Sequence, residues 1–213
     1  MSGGIGGELG DRVEQWPVVA SEVVYQTGRV ISVRQDAVAP PHGGPSFTRD
    51  VVEHPGAVAI VALDEDERVL LVAQYRHPVQ RRLLEIPAGL RDVPGEPMHE
   101  TAARELYEEG HVRATDWRIL ADVFASPGMT NEAIRVYLAR ELSAVPEAER
   151  HAGDDEEADM PVVWAPLGDA VDAILAGEIH NGVTCTAVLA TWAARNGQGY
   201  DALRKVDAAE QLW

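Results

Sequence analysis

The sequence has little that could cross-link it covalently or place it in a membrane. Its 213 residues include a single cysteine, Cys185, so an intrachain disulfide is excluded. Small or apolar residues surround this cysteine, and we interpret it as a buried hydrophobic side chain rather than a nucleophile. No apolar run approaches the roughly 18–20 residues that span a bilayer. The flexible, Gly-rich leader at residues 1–20 lacks the basic-then-apolar pattern of a signal peptide. We therefore expect a cytoplasmic protein.

Positive charge is also scarce. The chain carries 18 Lys and Arg against 35 Asp and Glu, which gives a net charge of −17. Such a field repels polyanionic nucleic acid, and no cluster of Lys and Arg offsets it. A small phosphate-containing substrate remains compatible, because a bound divalent cation reverses the local charge. The acidic residues are concentrated at 96–109 and 154–159, and these two clusters are the first candidates for function.

The spacing of apolar residues predicts strands, one internal helix and two late helices. Alternating or buried patterns predict strands within 22–38, 47–53, 57–63, 69–75, 83–86, 117–124, 133–140 and 162–164. Helical spacing runs from 97 to about 110, from 167 to 176 and from 181 to 195. This order indicates an α+β fold or an α/β/α sandwich. We expect a core domain at 56–195, a strand region at 21–55 before it, and a loosely held tail at 196–213.

The internal helix carries the most informative polar cluster. Glu105, Glu108 and Glu109 share one surface patch, because residues three and four apart are neighbours on a helix. Like charges at this spacing destabilise a helix, so the cluster needs an explanation. One explanation is a solvated helix face on which Glu100 and Arg104 pair. The other is a Mg²⁺ site, since hard cations bind carboxylate oxygens. The Gly-containing loop before the helix favours the metal site, because it lets the backbone approach a cation or a phosphate.

The acidic helix is also part of a longer motif. The segment 89–112 reads GLRDVPGEPMHETAARELYEEGHV and resembles the Nudix box, G-x5-E-x7-R-E-U-x-E-E-x-G-U, in which U is apolar. The positions that agree by type are Gly89, Glu96, Arg104, Glu105, Leu106, Glu108, Glu109 and Val112. Six residues rather than five separate the glycine from the first glutamate, an insertion that a loop tolerates.

The second departure from the box lies at the end of the helix. The box has a glycine there, which ends the helix in a left-handed conformation. In this chain His111 stands at that position, and Gly110 comes one place earlier. Two alternatives follow: Gly110 ends the helix one residue sooner, or His111 adopts the left-handed conformation. We expect His111 to be a tolerated substitution without a chemical role.

The resemblance extends over about residues 20–195 and is closest to the actinobacterial ADP-ribose pyrophosphatases of the Nudix family. It is carried by GAVAIVAL at 56–63, QYR at 74–76, EIPAG at 85–89, and a proline, Pro127, fifteen residues after Val112. The resemblance implies a Nudix-type α/β/α sandwich with an N-terminal β-sheet extension that forms a homodimer. It also implies hydrolysis of ADP-ribose to AMP and ribose 5-phosphate.

The same resemblance implies a role for each matching residue. A cation, Mg²⁺ or alternatively Mn²⁺, would be bound by the backbone carbonyl of Ala88 and by Glu105, Glu108 and Glu109. The substrate would be contacted by Arg76, Glu85, Pro127 and Gly128. Arg104 would orient a box glutamate through a bidentate pair. The general base would be Glu157, with its neighbour Glu156 as the reserve, in the acidic segment Glu156-Glu157-Ala158-Asp159.

Other functions explain part of the pattern. A related hydrolase would act on a different nucleoside diphosphate derivative, such as a nucleotide sugar or a dinucleotide. A non-catalytic sensor would bind ADP-ribose without cutting it, but the box glutamates are all kept and 213 residues leave no room for a helix-turn-helix domain. A structural, acidic metal binder leaves Gly89, Arg104 and Pro127 unexplained.

Overall fold

The computed structural model describes residues 10–26, 30–150 and 160–206, which form two compact units. The smaller unit ends at Glu53 and the larger unit begins at His54. The sequence had placed this boundary between residues 55 and 56. Within the described ranges, no helix is both long and apolar enough to cross a membrane.

The smaller unit is a three-stranded antiparallel sheet. Its strands, in spatial as well as chain order, are β1 (Val18–Gln26), β2 (Ser32–Val38) and β3 (Phe47–Glu53). Their Val-rich, alternating sequences are typical of strands. Every residue of β1 is exposed, including the apolar Val18, Val19, Val23, Val24 and Tyr25. This edge strand therefore presents both unpaired backbone groups and apolar side chains.

The larger unit contains two sheets. Its strands are β4 (Ala57–Ala62), β5 (Arg68–Arg76), β6 (Arg81–Glu85), β7 (Ala88–Leu90), β8 (Val112–Phe124), β9 (Ala133–Ala144), β10 (Val162–Pro166) and β11 (Arg204–Lys205). One sheet has the order β11-β8-β9-β4-β7, and the other has the order β10-β5-β6. The pairing of β4 with β9 is parallel, and the other pairs are antiparallel.

Strand β4 lies at the centre of the core because both of its faces are buried. Alternate residues of a strand point to opposite faces. Ala57, Ala59 and Val61 therefore belong to one apolar cluster, and Val58, Ile60 and Ala62 belong to a second. Helices α2 (Leu167–Leu175) and α3 (Gly182–Asn196) pack into the first cluster, and α1 (Met98–Gly110) packs into the second. Helices thus cover both sides of the sheets, which confirms the predicted α/β/α sandwich.

Several short or terminal elements differ from the predicted ones. Only a Gly-containing loop was expected between the strand at 83–86 and the helix from 97, but β7 occupies Ala88–Leu90 and pairs with β4. A strand of three residues is too short to show a period in sequence. The described part of the predicted tail is attached to the larger unit: β11 pairs with β8, and Arg204 Nη2 donates to Asp122 Oδ2 at 2.9 Å.

The end of α1 decides between the two alternatives for Gly110 and His111. His111 is the residue in the left-handed conformation, with φ 53° and ψ 34°. Gly110 stays in the helix, where a Cβ atom would lie 3.1 Å from Leu106 Cδ1 and 3.2 Å from Leu70 Cδ1. Packing against the sheet therefore leaves little space for a side chain at 110, and His111 adopts a conformation that favours glycine. Among the residues that the structure describes, the buried His111 Nδ1 has no hydrogen-bond partner to compensate.

We predict that His111→Gly raises the free energy of unfolding by up to about 1 kcal/mol, because glycine adopts the left-handed conformation without steric cost. Gly110→Ala is the matched comparison, and crowding against Leu106 and Leu70 should cancel the stability of about 1 kcal/mol that alanine usually adds inside a helix. Denaturant titration of both variants measures the effect. A His111→Gly protein less stable than wild type would contradict this account of the helix end.

Candidate functional site

A cleft of about 680 Å³ opens in the larger unit, and both of its sheets line it. The cleft brings together six of the residues predicted from sequence: Arg76, Glu85, Ala88, Arg104, Glu105 and Glu109. These residues come from β5, β6, β7 and α1. The site therefore depends on how the two sheets and the acidic helix meet.

The carboxylate of Glu105 lies directly against the backbone of Gly89. Gly89 pairs with Val58 in the sheet. A Cβ atom on Gly89 would lie 2.0 Å from Glu105 Cδ and 2.1 Å from Glu105 Oε1, so any added side chain would displace the Glu105 carboxylate. Glycine at this position therefore lets a charged side chain from α1 approach the strand.

Glu109 contacts the same strand one helical turn further along α1. Its Oε2 accepts a hydrogen bond from the backbone N–H of Ala88 at 3.0 Å. Because residues four apart lie on one face of a helix, Glu105 and Glu109 both face β7. Glu109 thus bonds to Ala88, Glu105 lies against the next residue, Gly89, and the carbonyl of Ala88 is itself one of the four predicted cation ligands.

Arg104 bonds to three glutamates. Its Nη1 donates to Glu105 Oε1 at 2.6 Å and to Glu108 Oε2 at 3.2 Å. On its other side, Nε and Nη2 form a bidentate pair with Glu96 at 3.4 and 3.3 Å. The Arg104 guanidinium, and then the Thr101 hydroxyl, lower the pKa of Glu96, and Glu96 in turn raises the pKa of Arg104. Within the described residues, Arg104 therefore bonds to Glu96, Glu105 and Glu108, and not to Glu100 as the solvated helix face would require.

A second arginine–carboxylate pair lies on the other sheet. Arg76 Nε donates to Glu85 Oε1 at 3.0 Å, and Nη2 donates to Glu85 Oε2 at 2.7 Å. The Glu85 side chain is only 4% exposed, whereas that of Arg76 is 43% exposed. A buried carboxylate thus orients a guanidinium that lines the cleft, and a guanidinium is suited to binding phosphate.

The remaining predicted residues lie in other places. Glu108 is on α1 and bonds to Arg104. Pro127 and Gly128 are exposed residues in the turn between β8 and β9, where the neighbouring Ala125 lines the cleft. Glu156 and Glu157 lie outside the described residues. The roles of these residues stay predictions.

The cleft also contains residues that the sequence did not single out. His54 and Glu132 line it, and the backbone N–H of His54 donates to Asn131 Oδ1 at 2.8 Å. Asn181 and Thr184, at the start of α3, form another part of its wall. Asn181 accepts from the backbone N–H of Thr184, and an asparagine before a helical pattern is a recognisable N-cap. That signal could have located this end of α3 but not its place in the cleft.

The chemistry of the glutamates fits a divalent cation. Within residues 10–26, 30–150 and 160–206, no three acidic, His or Cys side chains are grouped closely enough to hold a metal ion together. In this arrangement Arg104 bonds to Glu105, while Glu109 bonds to the Ala88 amide. The atoms that could act as cation ligands at this point are nevertheless carboxylate and carbonyl oxygens, the type that hard cations bind. Glu105, Glu109 and the Ala88 carbonyl are the residues that would hold such a cation, with Glu108 of the same helix as a further ligand.

Comparison with known proteins gives consistent results. Residues 53–184 match the NUDIX domain. The chain is 48% identical over 179 residues to an ADP-ribose pyrophosphatase of Mycobacterium tuberculosis, with 84% of each protein covered. It is 35% identical over 170 residues to an ADP-ribose pyrophosphatase of Bacillus subtilis, with 80% of this chain and 89% of that protein covered. A crystal structure of an ADP compounds hydrolase shares the fold, with a TM-score of 0.73, 23% identity, and coverage of 89% of this chain and 99% of that one.

Proposed function

Because the chain belongs to the Nudix family, we propose that it hydrolyses the pyrophosphate bond of ADP-ribose to give AMP and ribose 5-phosphate, with Mg²⁺ as the cation. One observation supports this proposal above the others. A single cleft contains a set of carboxylate oxygens suited to a cation and, on the facing sheet, a guanidinium held in place by a buried glutamate. The names of the two bacterial relatives support ADP-ribose as the substrate.

Hydrolysis requires water to attack one phosphorus while the bond from that phosphorus to the bridging oxygen breaks. A bound cation would neutralise the charge on the diphosphate and stabilise the leaving phosphate. Arg76, oriented by Glu85, would donate hydrogen bonds to a diphosphate oxygen. Arg104 would keep Glu105 in position through its bond to Oε1.

A carboxylate must accept the proton of the attacking water. We assign this role to Glu157, with Glu156 as the reserve. The acidic run that contains them directly precedes β10, and β10 pairs with β5. Pro127 and Gly128 are proposed to contact the substrate, because they belong to the same turn as the cleft residue Ala125.

The substrate assignment is tested with a panel of nucleoside diphosphate derivatives. The panel contains ADP-ribose, a nucleotide sugar and a dinucleotide, and a coupled phosphatase releases phosphate for colorimetric detection. We expect the highest kcat/KM for ADP-ribose, and no activity once the cation is chelated. Faster hydrolysis of another compound would show that this compound, and not ADP-ribose, is the preferred substrate. Binding of ADP-ribose without hydrolysis would identify a sensor instead.

We predict that Glu109→Gln lowers activity at limiting Mg²⁺ by on the order of 100-fold, because the amide lacks the charge that binds the cation. The variant should stay folded, since the glutamine oxygen can still accept from the Ala88 amide and repulsion with Glu105 is relieved. Glu100→Gln, on the same helix but exposed, is the control and should keep full activity. The measurement is the Mg²⁺ dependence of ADP-ribose hydrolysis. A wild-type rate for Glu109→Gln at limiting Mg²⁺ would refute this cation site.

We predict that Glu157→Gln lowers kcat by on the order of 10²–10⁴ with little change in KM, because the variant cannot take the proton from water. Glu156→Gln is the matched control, and it should retain most of its turnover. Steady-state kinetics at saturating Mg²⁺ compares the two. A crippled Glu156→Gln would transfer the role to Glu156. If neither variant loses more than about tenfold, the base lies elsewhere, with Glu108 as the next candidate.

We also propose that the protein is a homodimer in which a second copy covers the exposed edge of β1. An open, apolar edge strand favours pairing with another chain. Light scattering at micromolar concentration should give twice the 23.1 kDa mass of the chain. Val23→Lys, on the exposed strand, should shift the mass toward that of one chain. A wild-type protein that is monomeric under these conditions would contradict the proposal.

A further inference from the structure

A link of only two residues, Ile86 and Pro87, connects the two sheets beneath the cleft. Before the link, Glu85 ends β6 and holds Arg76. After it, Ala88 begins β7 and bonds through its amide to Glu109. The backbone angles of so short a link set the separation between the proposed diphosphate contact and the proposed cation ligands.

The polar groups of this link are bonded to different elements. The backbone N–H of Ile86 donates to Thr184 Oγ1 at 3.1 Å. Pro87 has no N–H, and its carbonyl accepts from the N–H of Ile60 in β4 at 2.8 Å. The acceptor of the first bond is a side chain of α3, so a substitution of that residue can remove the bond without altering any strand.

Thr184 is well placed to hold the link. Its side chain lies in the first turn of α3, and the residue is fully buried, at 0% exposure. Its own backbone N–H donates to the N-cap Asn181 at 2.9 Å. Helix α3 packs into the apolar cluster that also contains Ile86. The hydroxyl is therefore fixed relative to the core, and 98 residues of sequence separate it from the amide that it binds.

We propose that Thr184 is a positioning residue for the hydrolysis reaction. Its hydroxyl accepts a hydrogen bond from the Ile86 N–H and so fixes the link. The fixed link keeps the Arg76–Glu85 pair at the distance from the carboxylates of α1 that hydrolysis requires. Thr184 acts through the backbone at 86–88, not on the substrate. This inference rests on the proposed function of the cleft.

Thr184→Val tests the proposal, because valine keeps the shape of threonine and lacks the hydroxyl. Thr191→Val is the matched control: Thr191 is also on α3 and 0% exposed, but its hydroxyl donates to Ala187 O within the helix. We expect both variants to lose thermal stability. Only Thr184→Val should lose kcat/KM for ADP-ribose, by about tenfold or more, since small misplacements cost up to about 100-fold. Thr184→Ser, which keeps the hydroxyl, should stay within about twofold of wild type.

Coupling to Arg76 separates positioning from general damage. Once Arg76→Ala has removed the guanidinium, adding Thr184→Val should cost much less than it does in the wild-type background, because the effects of residues that act through one network are non-additive. Additive losses, an equal loss in Thr191→Val, or a wild-type kcat/KM in Thr184→Val would each overturn the proposal.

A measurement without substrate distinguishes failure of this inference from failure of the proposed function. Amide hydrogen exchange in Thr184→Val should be about tenfold faster at Ile86 and also faster at Ala88, because both depend on the link. Thr191→Val should leave both amides unchanged. Unchanged protection of Ala88 in Thr184→Val would refute positioning, whatever the substrate of the enzyme is.

Discussion

The contact between the Glu105 carboxylate and the bare backbone of Gly89 constrains the position of everything else in the cleft. The packing of Met98, Ala102 and Leu106 against the sheet sets the rotation of α1 about its axis, and this rotation places Glu105 against the strand. Glu109, one turn further on, then meets the Ala88 amide. Any side chain at position 89 would displace the helix or the carboxylate, so the absence of a side chain there is a structural requirement of the site.

Electrostatics adds a second constraint to the same helix. Three glutamates on one patch repel each other, and the chain as a whole carries a net charge of −17. Arg104 offsets part of this repulsion by bonding to Glu105 and Glu108 while Glu96 holds its other side. The pairing allows α1 to form without a cation, and it leaves carboxylate oxygens beside the cleft. Arg76 and Glu85 repeat the arrangement of an arginine held by a carboxylate on the facing sheet.

The parts of this site that could be predicted from sequence are those with local patterns. The Nudix box predicted helix α1 and the pairing of Arg104 with a glutamate of the box, because the spacing of helical residues determines which of them share a face. Contacts between distant residues could not be predicted: Thr184 meets Ile86 across 98 residues, and His54 meets Asn131 across 77. Which of Gly110 and His111 takes the left-handed conformation was ambiguous for the same reason. Gly110 stays in the helix beside Leu70, a residue distant in sequence that approaches it closely. Strand β7 was missed because three residues show no period.

The most direct test of the account is the activity of Gly89→Ala compared with that of Gly168→Ala. The added methyl at 89 would collide with Glu105, whereas at 168 its nearest neighbour is Trp192 Cζ3 at 3.9 Å. We expect Gly89→Ala to lose on the order of 100-fold or more in kcat/KM for ADP-ribose while it keeps its circular dichroism spectrum, and Gly168→Ala to match wild type. A folded Gly89→Ala protein with wild-type kcat/KM would show that the placement of Glu105 against the strand is not what makes the cleft an active site.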